Sequence, residues 1–156
     1  MEPQSTRAFE PCNPEFAQVV RASFARQPVM GLIGASLTVV EPGYTRIELP
    51  YRVELTQQHG YFHGGITATI ADTAAGYAAF SLFPRASVVL TVEFKINLLA
   101  IADGERLIAM GRVRKPGKTL TVVEFEVVVE KHGISTTCAY GLGTMMCLPE
   151  TATRSG

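Results

Sequence analysis

The sequence predicts an α+β fold in which one curved antiparallel sheet wraps a single long helix. Two observations carry this expectation. Residues 65–82 are rich in alanine and apolar on nearly every side, the pattern of a buried helix and not of a surface one. Beyond Pro84, apolar and polar residues alternate with a period of two, as in half-buried strands. A sheet on one side cannot cover such a helix. Either the sheet curls around it or a second copy packs against it.

The elements follow in order. Residues 1–13 read as a flexible polar lead-in, and residues 14–148 as one domain. Pro14 suits a first helical turn, and Phe16, Val19, Val20 and Phe24 recur at helical spacing until Gly31 and Gly34 close the helix. A first strand spans 35–40, and Glu41-Pro42-Gly43 turns the chain into a second over 44–51. There Thr45, Ile47 and Leu49 alternate with Arg46 and Glu48. In the long helix Ile66, Ile70, Thr73, Tyr77 and Phe80 form one stripe, and Pro84 ends it. Four strands are then expected in a meander, over 87–99, 106–114, 119–130 and 134–147. In the first of these, even-numbered residues Val88 to Leu98 share one face, and Thr91, Glu93, Lys95 and Asn97 share the other. Residues 149–156 read as a disordered tail.

Composition narrows the class. Hydrophobic residues make up 47% of the 156 residues and charged ones 18%, which suits a single folded domain and excludes a disordered chain. Fourteen basic residues balance fourteen acidic ones, so no overall field favours nucleic acid or a membrane surface. Cys12, Cys138 and Cys147 are too widely spaced for a zinc site or a disulfide framework, and the last two lie in apolar sequence as buried hydrophobes. No apolar signal segment or membrane-length run occurs, and a cytoplasmic protein is expected.

Chemistry gathers in one stretch. Gln57-Gln58-His59-Gly60-Tyr61-Phe62-His63-Gly64-Gly65 leads straight into the buried helix. A helix start offers unpaired N–H groups and partial positive charge, and glycines there let a ligand approach the backbone. Such a start can hold an oxyanion, or the glycines can serve a tight turn alone. Asp72 is an acid within an alanine-rich helix, costly to bury unless paired or functional. It is either hydrogen-bonded to Thr69 or Thr73, turned to solvent, or a carboxylate that attacks a carbonyl or activates water. Eight residues of helix separate Gly64 from Asp72 by about 12 Å, so a single carbonyl cannot reach both. A partner helix running antiparallel under a two-fold could bring Asp72 of one chain to Gly64 of the other, giving two sites per dimer.

The string HGG-ITATIAD-TAAG, preceded by Gln57 and followed by TVEFKINLL, resembles the PaaI-like (phenylacetic-acid-degradation) branch of hotdog thioesterases. The resemblance spans roughly residues 30–147. It implies a hotdog fold and hydrolysis of an acyl- or aryl-CoA thioester to free acid and CoA. It implies Asp72 as nucleophile or general base, the Gly64 amide as the oxyanion donor, and Gln57 as a group orienting water or thioester. His63 is implied as a loop-positioning residue, and Thr91 lies near a water-assisting Ser/Thr of some members. Period-two alternation puts Thr91 on the face away from its own helix, so a role for it is expected across a subunit boundary. Gly65 is expected to touch substrate. Arg112, Arg114, Lys115 and Lys118 cluster at the Pro116-Gly117 turn, where relatives contact CoA, although such a cluster also suits an ordinary solvated hairpin tip. Ile66, Phe62 and Tyr61 are candidates for the acyl pocket. The expected assembly is at least a dimer, with a tetramer anticipated. No metal and no cofactor is expected beyond CoA as part of the substrate, and no nucleic-acid or membrane partner. A non-catalytic acyl-CoA-binding hotdog module is the alternative. An enoyl-thioester hydratase would need a second suitably placed histidine, which the sequence lacks.

Overall fold

Helix α3 (Gly64–Phe80) is the axis about which the rest of the chain is arranged. Its C-terminal half, from Ala74 to Phe80, is fully buried, and Ile70, Ala71 and Ala75 reach zero exposure. Small side chains allow this. The Gly111 backbone lies so close to α3 that a Cβ there would stand 2.3 Å from the Ala74 carbonyl oxygen. Thr45 Oγ1 donates to that same oxygen at 2.7 Å, and Ser81 Oγ accepts the Gly43 N–H at 2.8 Å. The C-terminal half of α3 is thereby fastened to the sheet.

The computed structural model describes residues 9–153. Ahead of α3 come α1 (Phe16–Ala25), α2 (Pro28–Ile33), β1 (Ser36–Glu41) and β2 (Tyr44–Pro50). After it come β3 (Ser87–Leu98), β4 (Arg106–Lys115), β5 (Leu120–Lys131) and β6 (Ile134–Pro149). The six strands form one antiparallel sheet in the order β1-β2-β4-β5-β6-β3, curved over the helix. This is the hotdog architecture that the resemblance implied.

Several expectations change. The four last strands are not a simple meander: β4, β5 and β6 are, but β3 pairs with β6 and forms the far edge. The first helix breaks at Gln27-Pro28, because Pro28 lacks an N–H and starts α2, which ends on left-handed Gly34 (φ 79°). Residues 9–13 of the anticipated lead-in are packed: the Phe9 ring fills the space beside Gly43, and Asn13 is buried. At the other end β6 runs to Pro149, and residues 150–153 form a 3-10 turn instead of a loose tail. The rest of both expected segments, residues 1–8 and 154–156, lies outside the described residues.

Register along β3 is the decisive detail. The strand carries a bulge between Thr91 and Glu93, so its alternation inverts there. Val89 and Thr91 face the helix ahead of the bulge, whereas Phe94 and Ile96 do so after it. The other edge of β3 has no strand beside it among the described residues, and it exposes Val92 (51%), Leu98 (60%) and Leu99 (60%).

Candidate active site

His63 opens α3 as its N-cap, with extended backbone (φ −66°, ψ 137°). Its Nδ1 accepts the Gly65 N–H at 2.9 Å, so the ring carries its proton on Nε2 when neutral. Histidine thus takes the place usually held by Ser, Thr, Asp or Asn at a helix start. Neither glycine has a positive φ, so the backbone conformation does not call for them. A Cβ on Gly65 would stand 3.0 Å from the His63 ring, and one on Gly64 would stand 3.0 Å from Leu98 Cδ1. With the Gly65 N–H engaged by His63, Gly65 contributes room to the site and no free donor. The Gly64 N–H has no acceptor among the described residues and remains available.

Asp72 lies on the side of α3 that the sheet leaves partly open. Neither Thr69 nor Thr73 binds it, because their hydroxyls donate to the Gly65 and Thr69 carbonyls, respectively. Its partner is Thr91, whose Oγ1 donates to Asp72 Oδ1 at 2.7 Å. This corrects the expectation that Thr91 would act across a subunit boundary. The bulge at Val92 turns Thr91 inward, onto its own helix and against the buried Met145 Sδ at 3.4 Å. Burial raises the Asp72 pKa above the ordinary 3.8, and the Thr91 hydrogen bond pulls it partly back. The second carboxylate oxygen has no partner among the described residues. A carboxylate of raised basicity with one oxygen held and one free is suited to take a proton or to attack.

The other expected site residues lie apart from this pair. Gln57 sits in a tight turn in which its own Oε1 accepts the His59 N–H, so its amide faces its own loop. Phe62 is buried, edge-to-face with Tyr51 at 5.5 Å, and belongs to the core instead of an open pocket, while Ile66 and Tyr61 are half-buried. Arg112 and Arg114 point to the sheet face opposite α3, since Gly111 and Val113 take the helix side. The Arg112 guanidinium lies 4.3 Å from the Tyr44 ring centroid, and Arg114 pairs with Glu124 at 3.4 Å. Lys115 and Lys118 are exposed at the hairpin tip and make no ion pair among the described residues. Within one chain, then, the fold joins Asp72 to Thr91, sets His63, Gly64 and Gly65 together at the helix start apart from that pair, and leaves the basic cluster elsewhere. Leu98 also lies against Gly64, a contact that the sequence signals only as an apolar Leu98-Leu99 pair.

The sequence model of the Thioesterase superfamily matches residues 59–136, the stretch that runs from the loop before His63 through β5 into β6. The chain belongs to the thioesterase superfamily. A candidate esterase of Saccharolobus solfataricus is 31% identical over 126 residues, 81% of each chain. Acyl-coenzyme A thioesterase 13 of Homo sapiens is 29% identical over 106 residues, covering 67% of this chain and 74% of that one. Among solved structures, a thioesterase family protein from Silicibacter pomeroyi superposes with a TM-score of 0.85 at 47% identity, over 86% of this chain and 98% of that one. The E. coli PaaI protein of the phenylacetic acid degradation operon has the same fold, with a TM-score of 0.78 at 21% identity over 88% and 96% of the two chains. No helix among the described residues is long and apolar enough to cross a membrane.

Proposed function

We propose that this thioesterase hydrolyses an acyl- or aryl-CoA thioester to the free acid and CoA, with Asp72 as the reacting carboxylate and the Gly64 amide as the oxyanion donor. The observation that carries the reading is the Thr91–Asp72 hydrogen bond, which fixes a carboxylate of raised basicity on the open side of α3. In the general-base route Asp72 takes a proton from water as the water oxygen bonds to the carbonyl carbon. Charge on the former carbonyl oxygen is stabilised at the helix start, where the N–H and the helix dipole converge. Collapse breaks the C–S bond, and the departing thiolate takes the proton from Asp72. In the nucleophilic route the free Asp72 oxygen bonds to the carbonyl carbon and expels the thiolate, and water then cleaves the mixed anhydride. Single turnover in H2(18)O tests the second: water attack at the Asp72 carbon of the anhydride leaves label in the Asp72 carboxylate, which the general-base route never does. Neither route passes through a metal or redox cofactor. The exposed Lys115 and Lys118 are the cations of the proposed CoA-contacting turn best placed to meet its phosphates.

The proposal needs two chains. Thr91 marks the level of Asp72 on β3, and Leu98 marks the level of Gly64. If β3 pairs antiparallel with β3 of a second copy so that Thr91 lies opposite the other copy's Leu98, each Asp72 approaches the other chain's Gly64. Counting the bulge as one step, the two-fold then falls near Lys95, and residues on the two strands keep matching faces. The unpaired, apolar edge of β3 supports that partner, because an exposed apolar edge is a template for pairing. The acyl group would then lie between the two subunits, near Ile66 and Leu98.

Mixing two inactive variants provides the test. Asp72→Asn and Gly64→Val chains, each inactive alone and assayed on a panel of aryl, short-chain and long-chain acyl-CoAs, should regain about a quarter of wild-type activity after random reassociation. Half of the dimers are then mixed, and each mixed dimer has one intact site. No recovery would place Asp72 and Gly64 in one chain's site. Tight acyl-CoA binding without turnover by the wild type would leave a binding module in place of an enzyme.

A further inference from the structure

A cavity of about 380 Å3 lies at the C-terminal end of α3, between α1 and the start of β3. Phe80 and Asp72 are eight residues apart on α3, about 12 Å along the axis, so the cavity is distinct from the carboxylate site. Its apolar wall comes from Phe16, Val19, Phe80 and Phe83, with the last two rings edge-to-face at 6.2 Å. Its volume is in the range of small-molecule sites.

One buried polar group in the wall is unspent. Asn13 is only 3% exposed and lines the cavity. Its Oδ1 accepts the Glu15 N–H at 3.1 Å, but its Nδ2 makes no hydrogen bond among the described residues. Among those residues, the one fully enclosed side-chain nitrogen or oxygen without a partner is Arg46 Nε, so Asn13 Nδ2 still reaches open space. For a side chain this buried, that space is the cavity. Open to the cavity, this amide donor can take a ligand oxygen in place of water. At the mouth, Arg85 is already paired with Glu15, so no uncompensated positive charge awaits a carboxylate. Aromatic rings in the wall favour an aromatic guest, which can pack edge-to-face against them.

We propose that this cavity binds a small uncharged aromatic molecule carrying one acceptor oxygen, such as an aryl ketone or aryl ester, with the oxygen on Asn13 Nδ2. The test titrates 4-fluoroacetophenone into the full chain, followed by 19F line broadening and by backbone amide shifts. Saturable broadening is expected, with amide shifts centred on residues 13–19 and 80–86. 4-Fluorotoluene, which lacks the acceptor, should bind about tenfold more weakly, and 4-fluorobenzoate should not saturate. Asn13→Asp keeps the acceptor for the Glu15 N–H but loses the amide donor, and should weaken binding about tenfold. Val19→Phe alters an exposed position of the wall and fills the cavity, and should abolish binding without loss of thermal stability. The proposal is overturned if the wild type does not saturate, if both variants bind as the wild type does, or if the shifts centre on residues 63–72.

Discussion

At the scale of single residues, Asp72 sets activity against stability. Its pKa is raised in the folded chain, chiefly by burial. Folding therefore favours the protonated acid, and the ionised form at neutral pH costs stability. That cost shrinks as the pH falls below the raised value and is gone below the ordinary 3.8. Asparagine is neutral at every pH and can still accept from Thr91. Asp72→Asn should therefore lower kcat by about a hundredfold or more while melting at the same temperature as the wild type or higher, as read by calorimetry and a CoA-release assay. A melting point well below wild type would contradict this account of the burial. Thr91 supplies a second handle. Its hydrogen bond lowers the Asp72 pKa, so Thr91→Val should move the acid limb of kcat/KM to higher pH, and Thr91→Ser should restore it. By contrast, burial pushes the Cys138 thiol up to about 11, so it should resist alkylation in the folded protein while the exposed Cys12 reacts.

At the scale of elements, α3 is held at its start by the His63 cap and along its length by close approach to β4. His63→Ala removes the acceptor for the Gly65 N–H and should cost about 1 kcal/mol, whereas His63→Asn should recover most of it. Denaturant titration of the three proteins checks this, and equal midpoints would mean that the cap contributes nothing. Gly111→Ala drives a methyl into the Ala74 carbonyl and should destabilise by roughly 1–3 kcal/mol, because neither backbone can move without breaking the sheet or the helix. The strand β3 shows how one residue redirects a whole element. Its bulge changes which residues face the helix, and it moves Thr91 from an expected outer position onto Asp72.

At the scale of the molecule, one side of α3 and one sheet edge remain open together. Val92→Lys together with Leu99→Lys would make that edge hostile to a second strand. Such a variant should sediment with the mass of one chain and lose turnover, while its circular dichroism stays that of the wild type. Retained turnover in a protein that sediments as a monomer would contradict the shared site.

The amino-acid sequence alone determined the class of this protein. Apolarity all round residues 65–82 required a wrapped helix, and the spacing of His63, Gly64 and Asp72 carried the thioesterase resemblance. These signals are local, so the sequence displays them directly. Tertiary structure decided what depends on pairing and on space. The neighbour of β3, its bulge, the engagement of Gln57 with its own loop and the outward direction of Arg112 and Arg114 all follow from contacts between distant segments. An alternating pattern cannot reveal a bulge, because one extra residue inverts the faces without changing the composition of the strand. The same holds for the two glycines. Their sequence position suggested a site for an oxyanion, but only the fold brings the Leu98 side chain and the His63 ring to within 3.0 Å of where a Cβ would stand.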